Sequence, residues 1–263
     1  MIEPECVLEF VGPGQCGHTI VAACLDAHPH MMIADELSTM RAAAKGKTRE
    51  QLFEAMMKDS RDRPTGNLNW RMKIGRIKGQ YQGKYKDKLK VLGNKHGWEA
   101  IGQYRSKGGK DLTVGYKNLI EVPLKIIHVI RNPFDHLSSW RAGRKGRHST
   151  PNQLINIFVG LCDGTQALFY EKDWGEDFME VYTEEFCSDT PGNLNRISNF
   201  LAVEPYPDWV EACDKRVFDS ARRRVEAVKW ENKELDRVYK EIVNKYSWYE
   251  GYRYEQGPRR CIV

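Results

Sequence analysis

The segment 125–130 is apolar almost without interruption, through Ile126, Ile127, Val129 and Ile130, and it stops at Arg131-Asn132-Pro133. A strand with one face in solvent alternates apolar and polar residues. A strand apolar on both faces must be covered on both, and a parallel sheet flanked by helices supplies that cover. Shorter apolar runs at 7–12, 31–34, 89–93 and 178–182 read as further strands. Between them, helical periodicity occupies 18–27, 50–60, 111–121, 134–143, 153–171 and 193–201. Strands that alternate with helices argue an α/β fold with a central parallel sheet.

The chain has 263 residues, and no internal repeat or low-complexity linker divides it. The expectation is one domain over 1–263, with a basic insertion at 66–88 and a charged helical and loop tail at 217–263. The insertion carries Arg71, Lys73, Arg76, Lys78, Lys84, Lys86 and Lys88. It reads as a loop or hairpin that is either solvated surface or an anion-attracting rim. Hydrophobic residues make up 41% of the chain, which excludes a disordered polymer. A net charge of +5 suits an anionic ligand and is too small to imply nucleic acid.

No apolar run approaches the roughly 18 residues that span a bilayer, so no membrane partner is expected. Glu3 and Glu5 precede the first apolar run, with no basic leader. Seven cysteines form no CxxC pair. Both features point to reduced thiols and a cytoplasmic location. No His/Cys/Asp group has metal-ligand spacing, so no metal is expected. Oligomeric state is not legible.

The first strand runs into Gly12-Pro13-Gly14-Gln15-Cys16-Gly17 and then a helix. A glycine-rich turn at a helix N-terminus aims backbone N–H groups into one concavity, which is an anion site made of backbone. Glycines at 14 and 17 permit close approach, Thr19 adds a hydroxyl, and His18 is a further donor. The glycine spacing also approximates a dinucleotide fingerprint and the outer spacing of a kinase loop, GxxxxGK[ST]. Here His18 stands where that loop has lysine, which argues against a nucleoside-triphosphate kinase without excluding one. A tight turn that binds nothing is the plain alternative.

Two motifs narrow the choice. Gly14-Gln15-Cys16-Gly17-His18-Thr19, followed by Leu25-Asp26-Ala27-His28-Pro29, resembles the 5′-phosphosulfate loop of the sulfotransferase superfamily. Arg131-Asn132-Pro133-Phe134-Asp135, with Ser139 eight residues beyond the arginine, resembles that superfamily's 3′-phosphate signature. The resemblance implies the donor PAPS (3′-phosphoadenosine 5′-phosphosulfate), released as PAP. It places Gly14, Gln15, Cys16, Gly17, His18, Thr19, Arg131 and Ser139 on the nucleotide. A strand-end arginine can grip phosphate through charge-assisted, bidentate bonds. The weaker match at 178–186 puts Tyr182 near the adenine. Many members carry a cation where Gln15 stands and a serine where Cys16 stands, so charge on the departing oxygen must be met elsewhere.

The tyrosylprotein members supply that chemistry. Their general base is a glutamate after the strand following Asp-Ala-His-Pro, which falls on Glu36 here, with Asp35 as its neighbour and substitute. Their strand ending in Asn-Lys resembles the run that closes with Asn94-Lys95, and Lys95 becomes the cation on the sulfuryl oxygens. Lys117 is a weaker candidate. His18 completes the catalytic set. The implied reaction moves a sulfuryl group from PAPS to a hydroxyl or amine of a small-molecule or saccharide acceptor. A nucleotide kinase and an inert PAP(S)-binding protein remain as alternatives.

Overall fold

A computed structural model describes residues 3–62, 77–106, 111–143 and 149–255. Its sheet has five strands, β1 (Cys6–Val11), β2 (Met31–Asp35), β3 (Val91–Lys95), β4 (Leu124–Ile130) and β5 (Phe178–Tyr182). All neighbours pair in parallel, in the order β2-β3-β1-β4-β5. This is the single α/β domain with a parallel sheet that the apolar runs predict. β3 lies two residues downstream of the predicted strand at 89–93, so that it ends on Lys95.

Period-two alternation sends successive side chains to opposite faces. On one face Val7, Val11, Leu92, Leu124, Ile126 and Ile130 pack under α3 (Arg49–Asp62), α4 (Glu99–Ser106), α5 (Thr113–Ile120), α6 (Pro133–Ala142) and α7 (Pro151–Thr165). On the other, Leu8, Phe10, Ile33, Val91, Ile127 and Val129 pack under α1 (His18–Asp26), α8 (Thr183–Ser188), α9 (Thr190–Phe200) and α10 (Pro207–Asp214). Each fully buried isoleucine on these faces contributes about 1.5–3 kcal/mol relative to exposure. α2 (Thr39–Ala44) and α11 (Asn232–Val238) complete the set.

The sequence pattern misses α2, α4, α8 and α10, each eight residues or fewer. Of the tail at 217–263, expected to be helix and loop, residues 217–224 are irregular, Val225–Ala227 make one 3-10 turn, and longer helix begins only with α11. Within the basic insertion, residues 77–88 form turns without strands, and the part from 66 to 76 lies outside the described residues. The six described cysteines form no disulfide. Among the described residues no helix is long and apolar enough to cross a membrane.

A cluster of polar groups is buried beside β1. Glu9 in β1 is buried, and its carboxyl meets Tyr116 Oη and Thr39 Oγ1 at 2.9 Å and Asn94 Nδ2 at 3.0 Å. Burial, and then the charge of the neighbouring Glu99, push its pKa up to about 8. Asn94 also holds both backbone groups of Leu37, accepting from its N–H at 3.1 Å and donating to its carbonyl at 3.0 Å. The segment after β2, which begins with Glu36, is thereby pinned to β3.

Candidate active site

All five strands end on one cleft of about 980 Å³. Its lining includes the loop after β1 (Gly14, Gln15, Gly17, His18, Thr19), Glu36 after β2, and Lys95 to Trp98 at the end of β3. Arg131 follows β4 and Thr183 follows β5. Open parallel sheets bind ligands at the carboxyl ends of their strands, where the strand order switches direction. Here the switch falls between β1 and β4, the strands that carry the glycine loop and Arg131.

Donors outside the loop set its shape. The Gly14 carbonyl accepts from His136 Nε2 at 2.8 Å and Trp140 Nε1 at 3.1 Å, both on α6. The Gln15 carbonyl accepts from Arg131 Nη1 at 3.1 Å, and the Cys16 carbonyl accepts from Thr183 Oγ1. In a planar trans peptide the N–H points opposite to the carbonyl. Three successive carbonyls fixed by these donors therefore turn the amides of residues 15, 16 and 17 away from them. Gln15 takes a left-handed conformation with φ +80°, rare for a side chain of this size. Gly17, at φ +108°, starts α1, and a Cβ there would lie 2.5 Å from Thr183 Oγ1. Beside Gly14 nothing stands within 4 Å of where its Cβ would be, which leaves the close approach open.

His18 is buried within the loop. Its Nε2 is 3.0 Å from the Val11 carbonyl, which can only accept, so Nε2 carries the ring proton. Nδ1, 3.1 Å from Cys16 Sγ, then accepts from the thiol. Burial lowers the His18 pKa to about 4 and raises that of Cys16 to about 12. Both nitrogens serve the loop, and the imidazole carries no charge at neutral pH.

The second motif begins where Asn132 caps α6, its side chain accepting from the amides of Phe134 and Asp135, with Pro133 at the first helical position. This turns Arg131 back towards the glycine loop. Besides Gln15, its guanidinium reaches Ser139 Oγ at 3.4 Å and the Arg222 carbonyl at 2.7 Å. Asp135, four residues on, pairs instead with Arg223 Nε at 3.0 Å and accepts from the amides of Arg224 and Val225. The segment 218–224 is thus strapped across the cleft, and Phe218, Ser220, Ala221 and Arg222 join its lining.

The register that sets Asp35 beside Lys95 builds the third part. Lys95 Nζ lies 2.6 Å from Asp35 Oδ1 and 3.0 Å from Glu36 Oε1. Asp35 and Lys95 side chains are each 6% exposed, whereas Glu36 is 40% exposed and faces the cleft. Of the two acidic candidates, the structure puts Glu36 on the cleft. Lys117 is elsewhere, 3.7 Å from Asp177 on the surface of α5. Tyr182 is buried, donates to Glu180 Oε2 at 2.7 Å, and is not among the cleft residues. Cys16 is likewise behind the wall. Among the described residues no group of three or more His, Cys, Asp or Glu could hold a metal ion.

Several contributors escape a motif reading. Trp98, Arg105 and the strap 218–222 come from segments with no recognisable signature, and Thr183 lies in the weak match at 178–186, which does not single it out. His136 and Trp140 sit four residues apart on α6, a spacing that puts both on one face and could have exposed their common target.

No protein-family model matches the sequence, and no match is found among curated proteins. Solved structures do match. The sulfotransferase domain of the Synechococcus PCC 7002 olefin synthase is 14% identical with a TM-score of 0.50, over 89% of this chain and 83% of that one. The sulfotransferase domain of the curacin biosynthetic pathway is 12% identical, with a TM-score of 0.53 over 86% of this chain and 83% of that one. The chain has the sulfotransferase fold. A third sulfotransferase, STF9 from Mycobacterium avium, is 11% identical at a TM-score of 0.51, over 94% of this chain and 78% of that one. At such identities the sulfotransferase fold is common ground, while the side chains on the strand ends are this chain's own.

Proposed function

We propose that this protein is a PAPS-dependent sulfotransferase acting on a hydroxyl or amine of a small-molecule or saccharide acceptor. One observation carries the reading. Arg131, 116 residues away in sequence, bonds the Gln15 carbonyl of the glycine loop and the hydroxyl of Ser139. A loop suited to one phosphate and a cation suited to another thus share one cleft. The residues fit a doubly phosphorylated nucleotide. The loop offers backbone amides at the uncapped start of α1, and Arg131 brings permanent charge.

The donor supplies an activated sulfuryl group. Glu36 takes the acceptor's proton as the acceptor atom bonds to sulfur. The sulfur–oxygen bond to the 5′-phosphate breaks, and its electrons stay on the phosphate oxygen. Lys95 offsets the charge gathering there, a role that positioned cations fill in related group transfers. Gln15 can donate a hydrogen bond but no charge, and His18 is neutral, so Lys95 is the cation available at the strand ends beside Glu36.

Titration calorimetry with PAP and with ATP tests the donor. PAP is expected to bind at micromolar strength with ATP inert, and Arg131→Ala is expected to weaken PAP by roughly 30–100-fold, the loss of charge-assisted bonds to phosphate. Tight ATP binding without PAP binding would favour the kinase reading. Glu36→Gln is expected to slow PAPS turnover by about a hundredfold with PAP affinity unchanged. Equal turnover in the two proteins would remove Glu36 from the mechanism, and no turnover in either would leave a PAP-binding protein.

A further inference from the structure

Among the described residues four large hydrophobic side chains stand exposed, and three of them line this cleft: Trp98 at 51%, Ile157 at 40% and Phe218 at 76%. Exposed apolar surface gathered in a concavity marks a binding site rather than chance. These side chains come from the end of β3, from α7 and from the strap, and none comes from the segment after β4 that carries Arg131. Gly102 lies four residues after Trp98, which immediately precedes α4, and Arg105 and Ser106 lie three and four residues after Gly102, so all four share one face, and Ile157 and Leu161 repeat the four-residue step on α7. Phe218 closes from the strap.

Two glycines shape this wall. A Cβ on Gly102 would come within 3.2 Å of the Trp98 ring, so the indole rests on bare backbone. A Cβ on Gly160 of α7 would lie 2.5 Å from the Arg105 guanidinium, which is seated in that gap, and Arg105 lines both this cleft and a neighbouring pocket that Gly160 and Asp163 share. Arg105 makes no ion pair among the described residues. Asp163, which senses its charge, is itself held by Lys245 at 2.6 Å and Tyr246 at 2.8 Å. Arg131 and Arg222 belong to the α6 side. Arg105 is therefore a fixed cation on the side of the cleft that the donor's phosphates do not claim. It lies seven residues, about 10 Å of helical rise, beyond Trp98.

Resting on the donor reading above, we infer that the acceptor is an apolar hydroxy acid. Its hydroxyl meets Glu36 and Lys95, its flat apolar body lies against Trp98, Ile157, Leu161 and Phe218, and its carboxylate meets Arg105. An uncharged saccharide fits poorly. Its hydroxyls would be desolvated against Ile157, Leu161 and Phe218 with no partners, and an unpartnered buried hydroxyl is costly. It would also leave Arg105 unanswered. A fused two-ring hydroxy acid offers a hydroxyl and a carboxylate at opposite ends of one flat apolar body.

The test uses the full chain with PAPS and three acceptors: 6-hydroxy-2-naphthoate, its methyl ester and methyl glucoside. Equilibrium dialysis of 6-hydroxy-2-naphthoate onto the protein–PAP complex runs beside it. The acid is expected to bind that complex and to be sulfated with KM at least tenfold below that of the ester. In Arg105→Gln the acid-to-ester ratio is expected to collapse to near one. In Trp98→Ala, a change at an exposed side chain, KM should rise at least fivefold for acid and ester alike, leaving their ratio intact. Indifference to the carboxylate, failure of the acid to bind the PAP complex, or preferential sulfation of methyl glucoside would each overturn the inference while the donor reading stands. Absence of PAP binding would instead overturn the donor reading, and the acceptor with it.

Discussion

Replacing Lys95 by methionine together with Asp35 by asparagine is expected to lower kcat by about a thousandfold, the cost of one preorganised charge at a site of developing negative charge. The paired change matters. Lys95 and Asp35 form a buried ion pair at 2.6 Å, and removing one partner of such a pair costs about 3–5 kcal/mol because the other is stranded in low dielectric. Lys95→Met alone would confuse lost chemistry with lost folding. The double variant keeps a neutral hydrogen-bonding group behind a neutral chain of similar length, so melting should stay near wild type. PAP affinity should hold as well, since the amides at 15–17 and Arg131 are untouched. Single-turnover measurements with saturating PAPS read the chemical step. A kcat within tenfold of wild type would take Lys95 out of the transition state and return the question of the cation to Arg222.

A second large effect concerns stability. Glu9 keeps its proton in the folded protein up to about pH 8, while in the unfolded chain it ionises at the ordinary carboxyl value. Between those pH values the folded state holds the extra proton, so stability falls as pH rises. The loss amounts to roughly 4–5 kcal/mol once pH passes 8, at about 1.4 kcal/mol per pH unit. Glu9→Gln should remove that slope. The hydroxyls of Tyr116 and Thr39 meet Oε1 and can accept as well as donate, whereas Oε2 faces the Asn94 amide, which only donates, so the single proton belongs on Oε1 and is given to one of the two hydroxyls. A glutamine places its NH₂ and carbonyl in the same order and keeps all three contacts. Urea unfolding at pH 5, 7 and 9 should give nearly equal stabilities for the two proteins at pH 5. At pH 9 the variant should be the more stable by several kcal/mol. Curves that run parallel across that range would mean Glu9 is already ionised in the fold.

The strands and the long helices were legible because local periodicity encodes them. The same holds for the placement of the 14–19 loop, Arg131, Glu36 and Lys95 on the cleft, since each follows or closes a strand that the apolar runs mark, and for Ser139 beside it, about two turns into the helix after Arg131. What could not be read depends on contacts between distant segments. The pattern placed β3 two residues early, because Leu89 is as apolar as the strand itself and only pairing with β2 fixes where the strand begins. Nothing near His18 in the sequence shows that the Val11 carbonyl will claim its proton. Nothing in 217–224 announces a strap, because its anchors are Arg131 and Asp135, about ninety residues away. Arg105 gains its place only from a glycine on another helix. Tyr182 matched a motif, and the fold buries it against Glu180.

The strap gives the two halves of the cleft a common hinge. Three residues separate Phe218, on the apolar wall, from Arg222, whose carbonyl holds the guanidinium of Arg131. A ligand that draws Arg131 towards phosphate changes what holds Arg222, and a ligand that settles against Phe218 acts on the same short piece of backbone. Such coupling is reciprocal by thermodynamic necessity. Whatever factor occupancy of the nucleotide side imposes on affinity at the apolar wall, occupancy of that wall must impose the same factor in return.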